Sequence, residues 1–214
     1  MDPTHVRTSP TSTVYGEGSL SLEANWNDGI CSKDGLVIDC NRITVDAVDD
    51  GIRGKDYLII RRHRVITAGD GLKCDLEEDA NPGHLVMEGG DLTIDAGDDA
   101  IHTEGSITFR GGTLSIDAGD DAIHAGTDLV IDWAEIRIHS SYEGLESALG
   151  DILIRDGDIC IVSSDDGDQR RRRGDNTGGG LPRFKSTEST YTLAIEGGFV
   201  AVYAQGDGWI PTGI

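Results

Sequence analysis

The stretch Asp98-Asp99-Ala100-Ile101-His102 returns 22 residues later as Asp120-Asp121-Ala122-Ile123-His124. The residues before the two copies also match, because residues 89–97 read GGDLTIDAG and residues 111–119 read GGTLSIDAG. Close self-similarity at a fixed period is typical of a chain that uses one structural unit repeatedly.

Degenerate copies of this acidic turn recur along the chain, mostly at intervals of 20 to 23 residues. The anchoring acids are Asp28, Asp50, Asp70, Asp99, Asp121, Glu143, Asp166 and Asp207. Short runs with period-two alternation lie between the turns, as in residues 91–96 and 113–118. A period near 22 with such alternation predicts an all-β parallel solenoid of about eight rungs.

The same register predicts which side chains point inward. Stacking them on one another would bury a continuous aliphatic column that no single rung could bury alone. In the last rung these are Leu193, Ile195, Val200 and Val202. The rung at residues 57–74 is irregular, because Arg61-Arg62-His63-Arg64 replaces the Gly-Gly step.

A single solenoid domain is expected over residues 14–214, after a disordered leader at residues 1–13 that is rich in Thr, Ser and Pro. The two long intervals contain loop insertions at about residues 76–83 and 168–190. Four cysteines show no CxxC spacing, so the sequence leaves their pairing open and gives no sign of a zinc site.

The chain has a formal net charge of −21, which argues against nucleic-acid binding and favours cations as partners. No stretch approaches the roughly 18 consecutive apolar residues that a membrane span needs. The sequence also lacks a nucleophile motif of the Gly-x-Ser-x-Gly type.

Stacked rungs bring the acids of successive turns within about 4.8 Å of one another, where like charges repel. Hard carboxylate oxygens in such number suit Ca²⁺, with turn carbonyls as further ligands. The alternative is that these acids only accept hydrogen bonds from turn amides, as Asp before Gly commonly does. The candidate calcium ligands are Asp28, Asp49, Asp50, Asp70, Asp98, Asp99, Asp120, Asp121, Glu143, Asp165 and Asp166.

The acids would stack in two columns, one for each residue of the Asp-Asp pairs. Three residues after the second acid comes a further stacked position, which we call the third column; it consists of Arg53, Lys73, His102, His124 and Glu146. Its basic members, beside bound cations, could dock the carboxylates of an acidic polysaccharide. The alternative is a salt-bridge ladder to the neighbouring acids. Exposed aromatic side chains offer apolar surfaces for sugar rings, but their positions in the sequence are scattered. The alternative is that each caps the apolar column; the residues are Trp26, Trp133, Tyr142, Tyr203 and Trp209.

With its repeats laid out, the chain resembles a family of bacterial and archaeal carbohydrate-binding domains that form a pectate-lyase-like, right-handed parallel β-helix. The resemblance runs from about residue 15 to the C-terminus. It rests on GSLSL at 18–22, NDGICSKD at 27–34, VDDGIRGKD at 48–56, SSYEGLE at 140–146 and GDG at 206–208. It implies calcium held by the acidic turns, an extracellular or cell-surface location, and binding of cellulose-like or polygalacturonate-like polymers.

Three functions follow as hypotheses. The first is a calcium-stabilised, non-catalytic module that binds acidic or cellulosic glycans. The second is a calcium-dependent lyase, in which Lys73 or Arg53 would act as the base. The third is a filament or matrix protein, because open solenoid ends expose unpaired backbone groups to which another copy could add with the help of calcium.

Overall fold

The computed structural model describes residues 6–8, 11–76, 82–164, 183–184 and 193–204, and every regular element in them is a β-strand. The predicted all-β class is therefore confirmed. Within the described part of the chain, no helix is long and apolar enough to cross a membrane.

The described residues form 22 strands. The first eight, numbered in chain order, are β1 (Val6–Thr8), β2 (Ser12–Ala24), β3 (Ile30–Ser32), β4 (Gly35–Ala47), β5 (Ile52–Gly54), β6 (Tyr57–Ile60), β7 (His63–Ala68) and β8 (Leu72–Cys74). The next seven are β9 (His84–Met87), β10 (Asp91–Ala96), β11 (Ile101–Thr103), β12 (Ile107–Phe109), β13 (Thr113–Ala118), β14 (Ile123–Ala125) and β15 (Leu129–Ile131). The last seven are β16 (Glu135–Ser140), β17 (Leu145–Ser147), β18 (Ile152–Ile154), β19 (Asp158–Ser163), β20 (Arg183–Phe184), β21 (Leu193–Ile195) and β22 (Phe199–Ala204).

These strands build a right-handed parallel β-helix with three columns of parallel strands. Face A is the eight-stranded sheet β1-β3-β5-β8-β11-β14-β17-β20. The larger sheet supplies the other two columns, which are joined because β4 pairs with both β6 and β7. Face B contains β6, β9, β12, β15, β18 and β21, whereas face C contains β7, β10, β13, β16, β19 and β22. Each turn of the chain runs through face B, face C, an acidic turn and face A.

Alternation along the short strands explains the core. In β10, Leu92, Ile94 and Ala96 are buried while Asp91, Thr93 and Asp95 are exposed, and β13 pairs with it residue by residue. The predicted inward residues of the repeated rungs are at most 8% exposed, with Phe109 fully buried among aliphatic side chains. Stacking of identical positions therefore produces one continuous apolar column.

Glycine is required where the corner between faces B and C brings backbones together. Gly112 has φ of +104°, and a Cβ there would lie 2.5 Å from the carbonyl oxygen of Gly90. The irregular rung at residues 57–74 keeps its place without this Gly-Gly step. Its strands β6 and β7 pair in register with β4 on one side and with β9 and β10 on the other.

Three sequence-based expectations meet differences in the structure. Six turns are complete in the described residues rather than about eight, because the last two are described only in part. Ile195 does not point into a closed core and is 51% exposed, since β21 has a partner on one side only in the described residues. Two segments of the expected leader pair as strands, with Val6–Thr8 on β3 and the start of β2 on β4. The predicted loop at 168–190 lies largely outside the described residues.

Candidate metal and carbohydrate site at the acidic edge

The acidic turns stack in register between faces C and A, and we call this line of turns the acidic edge. The Gly29 amide donates to the Asp50 carbonyl at 2.8 Å, and the Gly51 amide donates to the Asp70 carbonyl at 2.8 Å. The same bond joins the turns of Asp70 to Asp99, Asp99 to Asp121, and Asp121 to Glu143. The predicted superposition of the acids is therefore confirmed from Asp28 to Glu143. Asp165 and Asp166 lie outside the described residues.

Glycine follows several of these acids because the turn packs against the core. A Cβ on Gly51 would lie 2.4 Å from Cγ2 of Ile66 and 2.7 Å from the Gly71 carbonyl oxygen. Gly71 meets the same restriction at Ile94 and Ala100. The Asp-Gly pairs in the sequence therefore mark positions where the acidic turn touches both the core and the next turn.

The acids form two rows that differ in burial. The inner row, whose members are 1 to 8% exposed, contains Asp28, Asp50, Asp70, Asp99, Asp121 and Glu143. The outer row, whose members are exposed, contains Asp49, Asp98 and Asp120. An inner carboxylate must be neutralised or hydrogen-bonded where it lies, whereas an outer carboxylate can exchange partners with solvent.

Two inner carboxylates accept backbone amides, as the alternative interpretation predicted. Oδ1 of Asp70 accepts the amide of Asp99 at 3.1 Å, and Oδ1 of Asp99 accepts the amide of Asp121 at 2.9 Å. These bonds link each turn to the next and stabilise the charged carboxylates. These hydrogen bonds occupy one oxygen of each carboxylate, and the other oxygen faces the third column.

The predicted third column is confirmed as a row on face A, because β5, β8, β11, β14 and β17 align its five members residue by residue. Its first two members form the salt-bridge ladder that the sequence left as an alternative. Nζ of Lys73 lies 2.6 Å from Asp70 and 3.3 Å from Asp50. Arg53 reaches Asp28 at 3.3 Å and also pairs with Asp75.

Burial and charge together set the protonation of this part of the edge. Burial raises the pKa of Asp50 to about 6, and Lys73 opposes that shift. Burial also disfavours the ammonium of Lys73, but the hydrogen bond to Asp70 and the charge of Asp50 outweigh it, so that its pKa is raised. Lys73 therefore stays cationic, and its positive charge neutralises Asp50 and Asp70.

The next two members of the column are histidines with parallel rings. The rings of His102 and His124 have centroids 4.7 Å apart and planes 2° apart. Nδ1 of His102 lies 2.7 Å from Oδ2 of Asp99. Nδ1 of His124 lies 3.2 Å from Oδ2 of Asp121 and 2.8 Å from Oε2 of Glu146.

The histidines share protons with these acids. The hydrogen bond to Asp99 raises the pKa of His102. Burial lowers the pKa of His124, but its contacts with Asp121 and Glu146 outweigh this effect and raise it to about 10. Burial raises the pKa of Asp121 to about 8, and the neighbouring acids add to that shift. One proton between His124 and Asp121 is therefore held more tightly than either isolated group would hold it.

Several groups of side chains place three potential metal ligands within 4.8 Å of one another. Two groups offer only carboxylate oxygens, namely Asp28, Asp49 and Asp50, and then Asp98, Asp99 and Asp120. Two further groups include imidazole nitrogen, namely Asp99, His102 and His124, and then Asp121, His124 and Glu146. In the first group Oδ1 of Asp28 is buried and has no hydrogen-bond partner.

Aromatic side chains mark both ends of the described part of the acidic edge. Trp26, which is 81% exposed, precedes the turn of Asp28, and Tyr142, which is 37% exposed, precedes Glu143. Trp133 is 52% exposed but lies at the corner between faces B and C. Tyr203 lies on β22, and Trp209 lies outside the described residues.

A second charged row was missed in the sequence, although its signal was present. Oppositely charged residues alternate at intervals of 22 to 27 residues beside the corner between faces B and C. Arg61 lies 2.8 Å from Glu88 and 3.8 Å from Asp39, and Arg155 pairs with Asp132. Since each cation lies between acids of adjacent turns, the positive and negative charges of this row cancel. The row therefore exerts little electrostatic attraction on a charged ligand.

A family model described as carbohydrate-binding domain-containing protein matches residues 9–167. That segment contains all six complete turns and the entire described acidic edge. Neither the curated proteins nor the solved structures contain a match to the chain. On the family match, the chain belongs to the family of carbohydrate-binding domain-containing proteins.

Proposed function

We propose that this protein is a calcium-stabilised, non-catalytic module that binds pectin-like, polygalacturonate-like or cellulose-like glycans along its acidic edge. The family supports a carbohydrate-binding role. The observation that carries the choice of surface is the pair of oxygen-only clusters at Asp28, Asp49 and Asp50 and at Asp98, Asp99 and Asp120.

The residues present fit a calcium ion. Ca²⁺ takes about six to eight oxygen ligands in flexible geometry, and each cluster supplies carboxylates from adjacent turns. Oδ1 of Asp28 is buried without a hydrogen-bond partner, and such an atom is costly unless something binds it. Asp49, Asp98 and Asp120 are exposed, so they leave part of any bound ion accessible to further oxygens.

A glycan that follows the edge would meet three kinds of group. Trp26 and Tyr142 lie five turns apart, which is about 24 Å at the spacing of paired strands. Their rings offer apolar surfaces on which sugar rings can stack. Between them, calcium on the outer carboxylates can accept glycan carboxylates or hydroxyls, which the acids alone would repel.

The glycan contacts predicted for the third column are less favourable than the sequence suggested. Arg53 and Lys73 already bind Asp28, Asp50 and Asp70, so a glycan carboxylate would have to compete with buried acids. His102 and His124 face Asp99, Asp121 and Glu146 in the same way. The proposal therefore assigns the glycan to the outer row and the aromatic ends, and keeps the third column as internal counter-charge.

The same contacts weigh against the lyase hypothesis. A general base must be neutral near the working pH, whereas acidic neighbours raise the pKa of Lys73 and of Arg53.

An extracellular or cell-surface location fits weak calcium sites, because extracellular modules bind Ca²⁺ at about 10⁻⁴ to 10⁻³ M. Self-association through the open ends of the β-helix stays a separate prediction.

Retention on insoluble polygalacturonate and on cellulose, measured with calcium and with chelator, tests the proposal. We expect calcium-dependent retention on at least one polymer and no release of ultraviolet-absorbing unsaturated uronides. Release of such products would instead establish a lyase. Equal retention with and without calcium, or no retention on either polymer, would refute the calcium-dependent module.

A further inference from the structure

The end of the third column brings together one imidazole and two carboxylates from two adjacent turns. Asp121 lies in the acidic turn before β14, His124 lies on β14, and Glu146 lies on β17 directly opposite His124 in the sheet. Their side chains are 12%, 23% and 8% exposed, respectively. Their ligand atoms all lie within 4.8 Å of one another.

We propose that Asp121, His124 and Glu146 form a site for a transition-metal dication of the zinc class. This site is separate from the oxygen-only calcium clusters, and the inference does not depend on glycan binding. Imidazole nitrogen together with carboxylate oxygen suits Zn²⁺ and its neighbours, whereas Ca²⁺ prefers a larger set of oxygens alone.

The distances match such an ion without rearrangement of the backbone. Zn²⁺ binds nitrogen and oxygen at about 2.0 to 2.2 Å, so tetrahedral ligand atoms lie about 3.4 Å from each other. Nδ1 of His124 is 3.2 Å from Oδ2 of Asp121 and 2.8 Å from Oε2 of Glu146. Small side-chain rotations would bring these atoms to the required separations.

Charge favours an ion over a proton within this cluster. When Asp121 and Glu146 are both ionised they carry two negative charges, and a proton on His124 balances only one of them. A dication bound by neutral imidazole balances both, and it also relieves the cost of burying Glu146, which is 6% exposed. The equivalent positions in earlier turns hold Arg53 and Lys73 instead, whose cationic side chains offer no ligand atom to a transition metal.

The neighbouring histidine positions the ring that would bind. His102 stacks on His124 with planes 2° apart, and Nδ1 of His102 is fixed by Asp99 at 2.7 Å. This stack keeps Nδ1 of His124 directed at the two carboxylates. The remaining exposure of the His124 side chain leaves room for entry of the ion and for water as a fourth ligand.

Calorimetric titration of metal-free protein with Zn²⁺, in a background of about 1 mM Ca²⁺ to fill oxygen-only sites, tests this inference. We expect a site that is weakened at least about tenfold in His124→Gln and in Glu146→Gln, which lose a ligand but keep the shape. The matched control is His139→Gln, because His139 is exposed and hydrogen-bonds Ser115. Its affinity for Zn²⁺ should equal that of the wild type.

Visible absorption of the Co²⁺-substituted protein adds a readout of geometry, since a tetrahedral site absorbs strongly and the variants should lose that band. Circular dichroism confirms that each variant is folded before it is compared. The inference is overturned if the folded wild type takes up no Zn²⁺ at about 100 μM, or if His124→Gln and Glu146→Gln bind it as tightly as His139→Gln.

Discussion

The two halves of the acidic edge place the same kind of acid at the same position in the solenoid but neutralise it with different cations. We number the six complete turns in chain order, so that turns one to three run from β2 to β8 and turns four to six from β9 to β17. In turns one to three, Arg53 and Lys73 reach Asp28, Asp50 and Asp70. In turns four to six, His102 and His124 face Asp99, Asp121 and Glu146, while Glu143 is also buried. The backbone is equivalent in both halves, so the difference lies in one outward-facing side chain of each strand on face A.

This difference has a physical consequence. The acidic neighbours raise the pKa of Arg53 and of Lys73, so both stay charged across the neutral pH range and the first half carries permanent counter-charge. Imidazole is charged only when it is protonated, and the second half therefore depends on protons or metal ions. Along one continuous core, the counter-charge on face A is thus permanent in the first half and depends on a proton or a metal ion in the second.

The largest expected effect comes from removing the fixed cation. Lys73→Met keeps the aliphatic stem but leaves Asp50 and Asp70 without their shared ammonium. Breaking a buried pair costs about 3 to 5 kcal/mol, and since the Lys73 side chain is 28% exposed we expect about 2 to 3. Thermal unfolding should then occur about 4 to 12 °C lower.

The exposed Lys55 provides the matched control for this measurement. Lys55→Met should shift the unfolding temperature by less than about 2 °C, because surface substitutions usually change stability by less than 0.5 kcal/mol. Equal shifts in the two variants would show that Lys73 does not neutralise the buried acids, and the contrast between the halves would lose its basis.

Calcium should give the next largest effect. A ligand that binds only the folded state at about 100 times its dissociation constant contributes about 2.7 kcal/mol, so chelation should lower the unfolding temperature. Asp98→Asn should remove much of the calcium-induced rise while leaving metal-free protein as stable or slightly more stable, because it relieves repulsion by Asp99 and Asp70.

Asp95→Asn is the control for Asp98→Asn, since Asp95 is exposed on β10 and lies outside the oxygen clusters. Its calcium-induced rise should match that of the wild type. An unfolding temperature unaffected by chelation would refute calcium stabilisation, and equal losses in the two variants would refute the assignment of the ion to the outer row.

The backbone positions at this edge were predictable because they follow from period alone. Asp99 and Asp121 stack since the sequence repeats, and apolar alternation places Ile101 and Ile123 in the core. The partners of the acids were not predictable in the same way. Whether Lys73 turns toward two acids depends on side-chain geometry, which a one-dimensional register does not contain.

Contacts between turns account for the remaining differences. Asp75 reaches Arg53 from the following turn, and Glu146 reaches back to His124. Both contacts require knowing which strands pair before any side chain can be assigned a partner. Burial of the last turn also depends on neighbours rather than on pattern, which is why alternation placed Ile195 inside although it is 51% exposed.

Raising the pH of metal-free protein should destabilise the histidine half. The folded-state pKa of His124 is about 10, above its ordinary value of 6.5, so its contribution is complete below pH 6.5 and is lost as the pH rises through 10. The pKa of Asp121, raised to about 8, acts in the same direction, because the folded state then binds more protons than the unfolded state above pH 4. We therefore expect the free energy of unfolding to decrease steadily between pH 6.5 and 9.

Thermal unfolding in chelator across this range measures the loss. In His124→Gln, the part of the loss above pH 8 should disappear, whereas His139→Gln should keep the wild-type profile. A stability that stays constant or increases toward pH 9 would contradict the protonation assigned to this half of the edge.

The smallest expected effect concerns the aromatic residues that end the two halves. Trp26→Ala and Tyr142→Ala should each weaken binding to polygalacturonate or cellulose about two- to tenfold, because stacking on one ring contributes about 0.5 to 1.5 kcal/mol. Trp133→Ala is the control, since Trp133 is 52% exposed but lies at the corner between faces B and C. If Trp133→Ala weakens binding as much as Trp26→Ala does, the glycan follows that corner, and the two halves of the acidic edge differ in stability alone. If only one of the two end variants loses affinity, the glycan occupies that half, and the neutralising cation of each half then also decides where the polymer binds.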